Sequence, residues 1–320
     1  MKIMKNSRRI QTVLGFVDSN EIVHVQPHEH LMLEKGYAAS TNSDLCIDNV
    51  DVTVSEVKKL PARSLVVDAQ PIGAGRIAMD LIRVSKRTGV HIVASTGFHK
   101  SMFYWRDHWI HNESAEILTA LFVSEIQKGM YVGNGIERPT KKVDAKAGLI
   151  KTAVDKKGLT PYYQMKFEAA AEASLLTNVP IMVHIEKESD PFEIIQFLTD
   201  KQVAAKKIIL CHLDRTHHDY GLHKEVAATG VYLEYDTIGR FKYHSDDKEI
   251  ELIHHMLNSG FQEALLISLD TTRARLQAYG GEIGIDYLTK TFIPKLKVSG
   301  ISDKTISTLV LDNPLAALSV

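Results

Sequence analysis

Short runs of apolar and β-branched residues recur along the chain, separated by segments with helical periodicity. The runs are Ile22–His30, Ser64–Gln70, His91–Phe98, Ala147–Val154, Pro180–Glu186, Lys207–Asp214, Val231–Ile238 and Ala264–Thr271. Several are continuously apolar rather than alternating, as in Ile181–Ile185, Ile208–Leu213 and Leu265–Leu269. Strands buried on both faces read this way, so the pattern predicts a parallel sheet covered by helices. Between the fourth and fifth runs, Thr160 can cap a helix and Pro161 suits its first position, with Tyr162, Met165 and Ala169 continuing it. After the eighth run, Ile285, Leu288, Phe292, Ile293 and Leu296 fall on one helical face. Ser302–Val320 reads as a closing helix interrupted near Asn313-Pro314. Eight strand-then-helix units predict an α/β fold of the (β/α)8, or TIM barrel, kind, whose usual length is about 250 residues before insertions. The rival, a doubly wound open sheet, often carries a glycine-rich turn after its first strand. Here that strand ends in Pro27-His28-Glu29-His30-Leu31, without glycine. No linker or low-complexity stretch divides the chain. Residues 1–320 are therefore expected to form one domain, with barrel strands across about 22–271 and closing helices across 282–320.

Composition narrows the function classes. Lys plus Arg total 38 against 39 for Asp plus Glu, a formal charge of −1 that argues against nucleic-acid binding through bulk charge. Hydrophobic content of 44% with 24% charged residues belongs to a globular chain rather than a disordered one. No run of about 18 apolar residues exists to predict a membrane span. The first seventeen residues, through Val17, carry positive charge but lack the apolar run of a signal peptide. Two cysteines, Cys46 and Cys211, cannot build a disulfide framework, and a cytoplasmic location is expected. The 15 histidines stand out and direct attention to metal binding or acid–base chemistry.

The strongest local signal is His28-Glu29-His30 at the end of the first strand. Residues i and i+2 share a strand face, so both imidazoles can meet one ion at the barrel mouth; two loop histidines are the alternative. His184 and His212 are lone polar groups late in the fifth and sixth strands, and Asp270 ends the eighth. One such residue is usually a satisfied core side chain. Three at the same height beside an H-x-H supply the nitrogen and oxygen ligands that suit zinc or a similar divalent ion. Lys151, on the fourth strand, is expected to point inward. An ammonium beside two cations is repelled, but reaction with carbon dioxide gives a carbamate whose two oxygens can bridge them. A register slipped by one leaves Lys151 snorkelling outward instead. Cys211 precedes His212 and is expected to face the helix layer as an inert thiol.

Together with these residues, Gly73–Arg76, Gly89–Phe98, Ala147–Lys151, Tyr235–Arg240, Ser268–Asp270 and Asp312–Pro314 give the chain a resemblance to the phosphotriesterase family of the amidohydrolase superfamily. The resemblance runs over nearly the whole chain. It implies an amidohydrolase-type barrel with two divalent metals, zinc first, with manganese or cobalt as alternatives. His28, His30 and Asp270 would hold the more buried ion, and His184 and His212 the more exposed one. Lys151, as N6-carboxylysine, would bridge them together with a hydroxide. Some relatives carry Glu in place of that lysine. Two metals generate a hydroxide at neutral pH and polarise a C=O or P=O, and Asp270 can take up the nucleophile's proton. The family's efficient organophosphate hydrolases carry a proton relay beyond the aspartate. Thr237 and Arg215 occupy the relay positions here, which favours carboxyl-ester or lactone chemistry.

Cations crowd the loops after strands six to eight: Arg215, His217 and His218, then Arg240 and Lys242 beside Tyr243, then Arg273 and Arg275. Guanidinium groups suit bidentate capture of phosphate or carboxylate. The expected substrate is an anionic lactone, with phosphorylated sugar lactones the class the resemblance implies. Arg275, Arg273, Lys242, Arg240 and Tyr104 are the expected substrate contacts; of the loop aromatics Tyr104, Trp105 and Trp109, only Tyr104 is assigned recognition. The resemblance also implies a homodimer. The other readings are a phosphoric triester hydrolase and a catalytically silent metal-binding protein on the same scaffold.

Overall fold

The computed structural model describes residues 8–320; Met1–Ser7, the start of the positively charged N-terminal segment, lie outside the described residues. An antiparallel hairpin, β1 (Arg9–Thr12) and β2 (Gly15–Asp18), comes first. Each of the eight apolar runs then supplies one strand: β3 (His24–Glu29), β4 (Ser64–Asp68), β5 (His91–Gly97), β6 (Leu149–Ala153), β7 (Ile181–His184), β8 (Ile208–Cys211), β9 (Tyr232–Tyr235) and β10 (Leu265–Ile267). They pair in sequence order, all parallel, from β3 to β10. Helices between them, among them Ala78–Thr88, Ala115–Gln127, Pro161–Thr177 and Asp246–Asn258, cover the outside. This is the (β/α)8 barrel that the apolar runs predict. Among the described residues no helix is long and apolar enough to cross a membrane.

Two apolar layers result. Val25, Leu65, Val67, Val93, Leu149, Met182, Ile209 and Leu266 fill the barrel interior. Ile10 and Val17 of the hairpin, with Leu315 and Leu318 of the last helix, pack against this inner layer. Val13 N donates to Ile92 O (2.8 Å) and Val320 N to Arg9 O (3.1 Å), so the hairpin and the C-terminus close the barrel at the N-terminal ends of its strands. The closing helix is locally unwound rather than broken. Asp303–Ser307 passes through Thr308–Asp312 into Asn313–Leu318, and Asn313 N bonds five residues back to Thr308 O. Pro314 has no N–H to donate and crowds the preceding turn, and the widened turn accommodates both.

The seam between β10 and β3 is closed largely by side chains. Asp270 N donates to His28 O (3.0 Å), and His28 N donates to Ser268 Oγ (3.0 Å). The buried Glu29 carboxylate accepts from Gln26 Nε2 (2.7 Å), Leu269 N (3.2 Å), Thr271 N (2.9 Å) and the Thr271 hydroxyl. Burial raises its pKa in spite of these bonds. Glu29→Ala strips two backbone N–H groups of their acceptor in a dry seam. Each unsatisfied group costs about 1–3 kcal/mol, so a loss of about 2–6 kcal/mol in urea unfolding is expected. A loss below about 1 kcal/mol would show that packing alone closes the barrel.

Candidate active site

The strands deliver the six expected ligands to one place at their C-terminal ends. His28 lies in β3 with His30 just beyond it, Lys151 in β6, and His184 at the end of β7. His212 directly follows β8, and Asp270 comes three residues after β10. All six are buried and line one cavity of about 220 Å³. His30 Nε2 and His28 Nε2 lie 3.3 and 3.7 Å from Asp270 Oδ1. His212 Nε2 lies 2.8 Å from His184 Nδ1. Lys151 Nζ points inward, 3.3 Å from His28 Nε2. The approach of β5 to β6 at this height requires Gly97: its φ is +99°, and a Cβ there would collide with the Lys151 carbonyl.

Two of these residues have backbone angles that side chains rarely adopt. His212 has φ 63° and Asp270 φ 49°, both left-handed. Such strain persists only where surrounding structure enforces it, and it concentrates at functional sites. At His212 it also corrects the expectation for Cys211. The turn breaks strand alternation, so Cys211 and His212 both face the interior. The thiol joins the inner apolar layer, 3.7 Å from Lys151 Nζ. Burial pushes it up to about 12, so it stays a neutral thiol.

Carboxylates orient the imidazoles from behind. His28 Nδ1 lies 2.9 Å from Glu234 Oε2 and 3.1 Å from Asp236 Oδ2, and His212 Nδ1 lies 2.6 Å from Asp236 Oδ1. His184 Nε2 lies 3.2 Å from Glu186 Oε1. Burial, then the nearby charges of Lys100 and Arg215, hold His184 well below the usual imidazole pKa; burial and Arg215 do the same for His212. Neutral imidazoles keep the lone pair that a metal needs. His28 moves the other way: burial and Lys151 lower it, but neighbouring acids, Glu234 and Asp236 among them, outweigh both. Burial likewise opposes charge on Asp270, yet Arg240, the His30 hydrogen bond and the charges of His28 and His212 hold it well below the carboxylate range. Convergent imidazole nitrogens and a fixed carboxylate oxygen are a donor set that fits divalent cations, and the ligating atoms of His28, His30 and Asp270 lie within 4.8 Å of one another.

The expected substrate contacts divide. Arg240 and Lys242 line the cavity. Arg240 Nη2 is 3.1 Å from Asp270 Oδ2, and Arg215 Nη2 is 3.8 Å from the same oxygen. Arg215, Arg240 and Lys242 all stand over the Tyr243 ring, at 5.0, 6.0 and 4.9 Å from its centre. Arg273 lies instead in an adjoining cavity of about 630 Å³, where its Nη1 donates to Cys46 O (2.7 Å). The two cavities share a wall: Asn42, Leu45 and Thr272 face one, and Ser43, Cys46 and Arg273 the other. Arg275 is buried outside the cavity lining, its Nη2 donating to Ile238 O (2.7 Å), and burial pushes it down to about 10. Tyr104 is buried outside the cavity lining, its hydroxyl accepting from His99 N (2.7 Å). Thr237 is engaged elsewhere, with Oγ1 3.0 Å from His244 Nε2. Sequence reasoning missed Lys100 and Glu186, which line the cavity and pair at 2.5 Å. The signal for Glu186 was present, since it stands two residues after His184, the spacing that singles out His28 and His30.

A nearly closed parallel barrel gathers imidazoles, a lysine and a carboxylate, a cluster of potential metal ligands, at the C-terminal ends of its strands. The chain belongs to the phosphotriesterase family, whose model matches residues 8–318. A phospho-furanose lactonase from Mycoplasmopsis synoviae (strain 53) is 29% identical over 321 residues, 97% of this chain and 91% of that one. A phosphotriesterase homology protein from Escherichia coli (strain K12) is 30% identical over 292 residues, 90% of this chain and 94% of that one. Among solved structures, a lactonase from Listeria monocytogenes superposes with a TM-score of 0.87 at 25% identity, covering 97% of this chain and 99% of its own.

Proposed function

We propose that the chain is a binuclear metal-dependent lactonase acting on an anionic lactone, with phosphorylated sugar lactones as the preferred class. The observation that carries this reading is the meeting of His28, His30, Lys151, His184, His212 and Asp270 at one cavity. Bound divalent ions, zinc first and manganese or cobalt next, would supply a water of near-neutral pKa and polarise the lactone carbonyl. Asp270 then accepts the attacking water's proton and returns it to the leaving alkoxide. Arg240, fixed on Oδ2, keeps the carboxylate oriented while Oδ1 faces His28 and His30. The related lactonases support the ester class. The triester reading is weaker because Arg215, 3.8 Å from Asp270 Oδ2, is a cation that cannot relay a proton onward.

Charge selects the substrate. Lys100, Arg215, Arg240 and Lys242 line the cavity against Glu186 and Asp270. Lys242 is exposed and, among the described residues, is not within ion-pair distance of a carboxylate, which leaves it free for a phosphate. A matched pair of lactones, phosphorylated and unphosphorylated, tests this. Losing a charge-assisted contact costs about 1.5–3 kcal/mol. Lys242→Met should therefore lower kcat/KM for the phosphorylated lactone roughly tenfold to a hundredfold, at about 1.4 kcal/mol per decade, and leave its analogue nearly unchanged. Equal losses on both substrates, or a wild-type preference for the uncharged lactone, would defeat the anionic-substrate reading. Absence of lactone hydrolysis by the metal-loaded protein would defeat the lactonase reading itself.

A further inference from the structure

We propose that Glu186, held by Lys100, is a positioning residue that presents His184 to the metal through Nδ1; the inference rests on the binuclear reading above. The three carboxylate-backed imidazoles do not face the site alike. His28 and His212 turn Nδ1 to Glu234 and Asp236, leaving Nε2 for an ion. His184 is reversed, with Nδ1 toward His212 Nε2 at 2.8 Å and Nε2 toward Glu186 Oε1 at 3.2 Å. A neutral imidazole donating from Nε2 to a carboxylate carries its lone pair on Nδ1. Glu186 thus selects the tautomer that ligates with the inward nitrogen, and its negative charge raises that nitrogen's basicity.

Glu186 needs holding, because it stands at the cavity edge with about a fifth of its side chain exposed (19%). Two contacts do so. Its backbone N donates to Ser189 Oγ (3.1 Å), fixing the turn after β7. Lys100, from the loop after β5, places Nζ 2.5 Å from Oε1, the oxygen that faces His184, and lies 5.4 Å from the Phe103 ring centre. The segment after β5 therefore lends Lys100, and β7 with the turn after it lends His184 and Glu186, to a Lys100–Glu186–His184 chain that crosses over β6 and ends on the more exposed metal position. Asp236, directly after β9, serves His28 and His212. Glu186 is the carboxylate on His184 Nε2.

The test uses zinc-loaded full-length protein with Glu186→Ala, Glu186→Gln and Lys100→Met variants. Two readouts are independent of turnover: nitrogen-15 NMR of the histidine rings, which reports the ligating atom, and zinc retention against a chelator. Wild type should show one imidazole ligated through Nδ1 among others ligated through Nε2, and two ions retained. Glu186→Ala should release one of the two ions at a chelator concentration roughly 10–100-fold lower, the scale of lost outer-shell support. Glu186→Gln should retain most of the affinity, because the amide oxygen still accepts the Nε2 proton. Lys100→Met should fall between wild type and Glu186→Ala with the Nδ1 signature intact. Wild-type zinc retention in Glu186→Ala, no Nδ1-ligated imidazole in wild type, or a Glu186→Gln defect as large as that of Glu186→Ala would each overturn the proposal. The first leaves the binuclear reading standing. Wild type that holds no second ion at saturation removes both.

Discussion

Asp270→Asn should lower turnover at saturating metal by roughly a hundredfold or more, the scale of general acid–base catalysis, with the fold retained. The substitution preserves shape, so the loss reads out chemistry. In the wild-type site both carboxylate oxygens are committed. Oδ1 faces His30 and His28 at 3.3 and 3.7 Å, and Oδ2 faces Arg240 at 3.1 Å. An amide has one acceptor oxygen and cannot serve both sides. Its nitrogen can neither accept the attacking water's proton nor satisfy a guanidinium. Against its burial, Arg240 and the histidines keep Asp270 anionic far below neutrality, so a proton acceptor is present throughout the neutral range and vanishes in the variant at every pH. Assays at rising metal concentration separate weakened binding from lost proton transfer. Turnover within a few-fold of wild type at saturation would take Asp270 out of the reaction.

The barrel was legible because a strand buried on both faces writes itself as a continuous apolar run, and eight such runs appear in order. The convergence of polar side chains at the barrel mouth was legible for the same reason. A His or Asp late in an otherwise apolar strand has to be explained by what it meets, and five of them share one height. What escaped depended on contacts between distant residues or on backbone geometry. Glu29 joins Leu269 across 240 positions of sequence, and no local pattern marks a barrel seam. Cys211 was misplaced because strict alternation fails where His212 turns to φ 63°. The hairpin of β1 and β2 is too short to show a period. Among the loop cations, composition could not separate Lys242, which faces the cavity, from Arg275, which a turn buries against the Ile238 carbonyl. Lys100 and Glu186 were passed over because their pairing crosses from the loop after β5 to the loop after β7, which no local pattern marks.

Lys151→Ala should lose nearly all metal and activity together, a larger effect than removing the proton acceptor. Lys151 is fully buried, with His28 Nε2 at 3.3 Å and the neutral Cys211 thiol at 3.7 Å as its hydrogen-bonding neighbours. An ammonium in that position opposes any cation bound by His28, and on charge alone its removal would improve binding. The opposite outcome is expected because of what the amine can become. Its nitrogen bonds the carbon of carbon dioxide and sheds two protons, converting a charge of +1 into −1 and presenting two oxygens to the cavity. Wild type loaded with metal and bicarbonate should then hold two ions per chain by elemental analysis, and Lys151→Ala fewer than one. The space vacated by the alanine variant should let a short carboxylate such as propionate restore part of both metal content and turnover. Lys151→Met removes the amine but fills that space, so it should be equally inactive and should not respond to propionate. That contrast separates a missing bridge from general damage to the barrel. Tight metal binding by Lys151→Ala without added carboxylate, or an unmodified lysine in a two-metal crystal structure, would show that the ions are held without a carbamate.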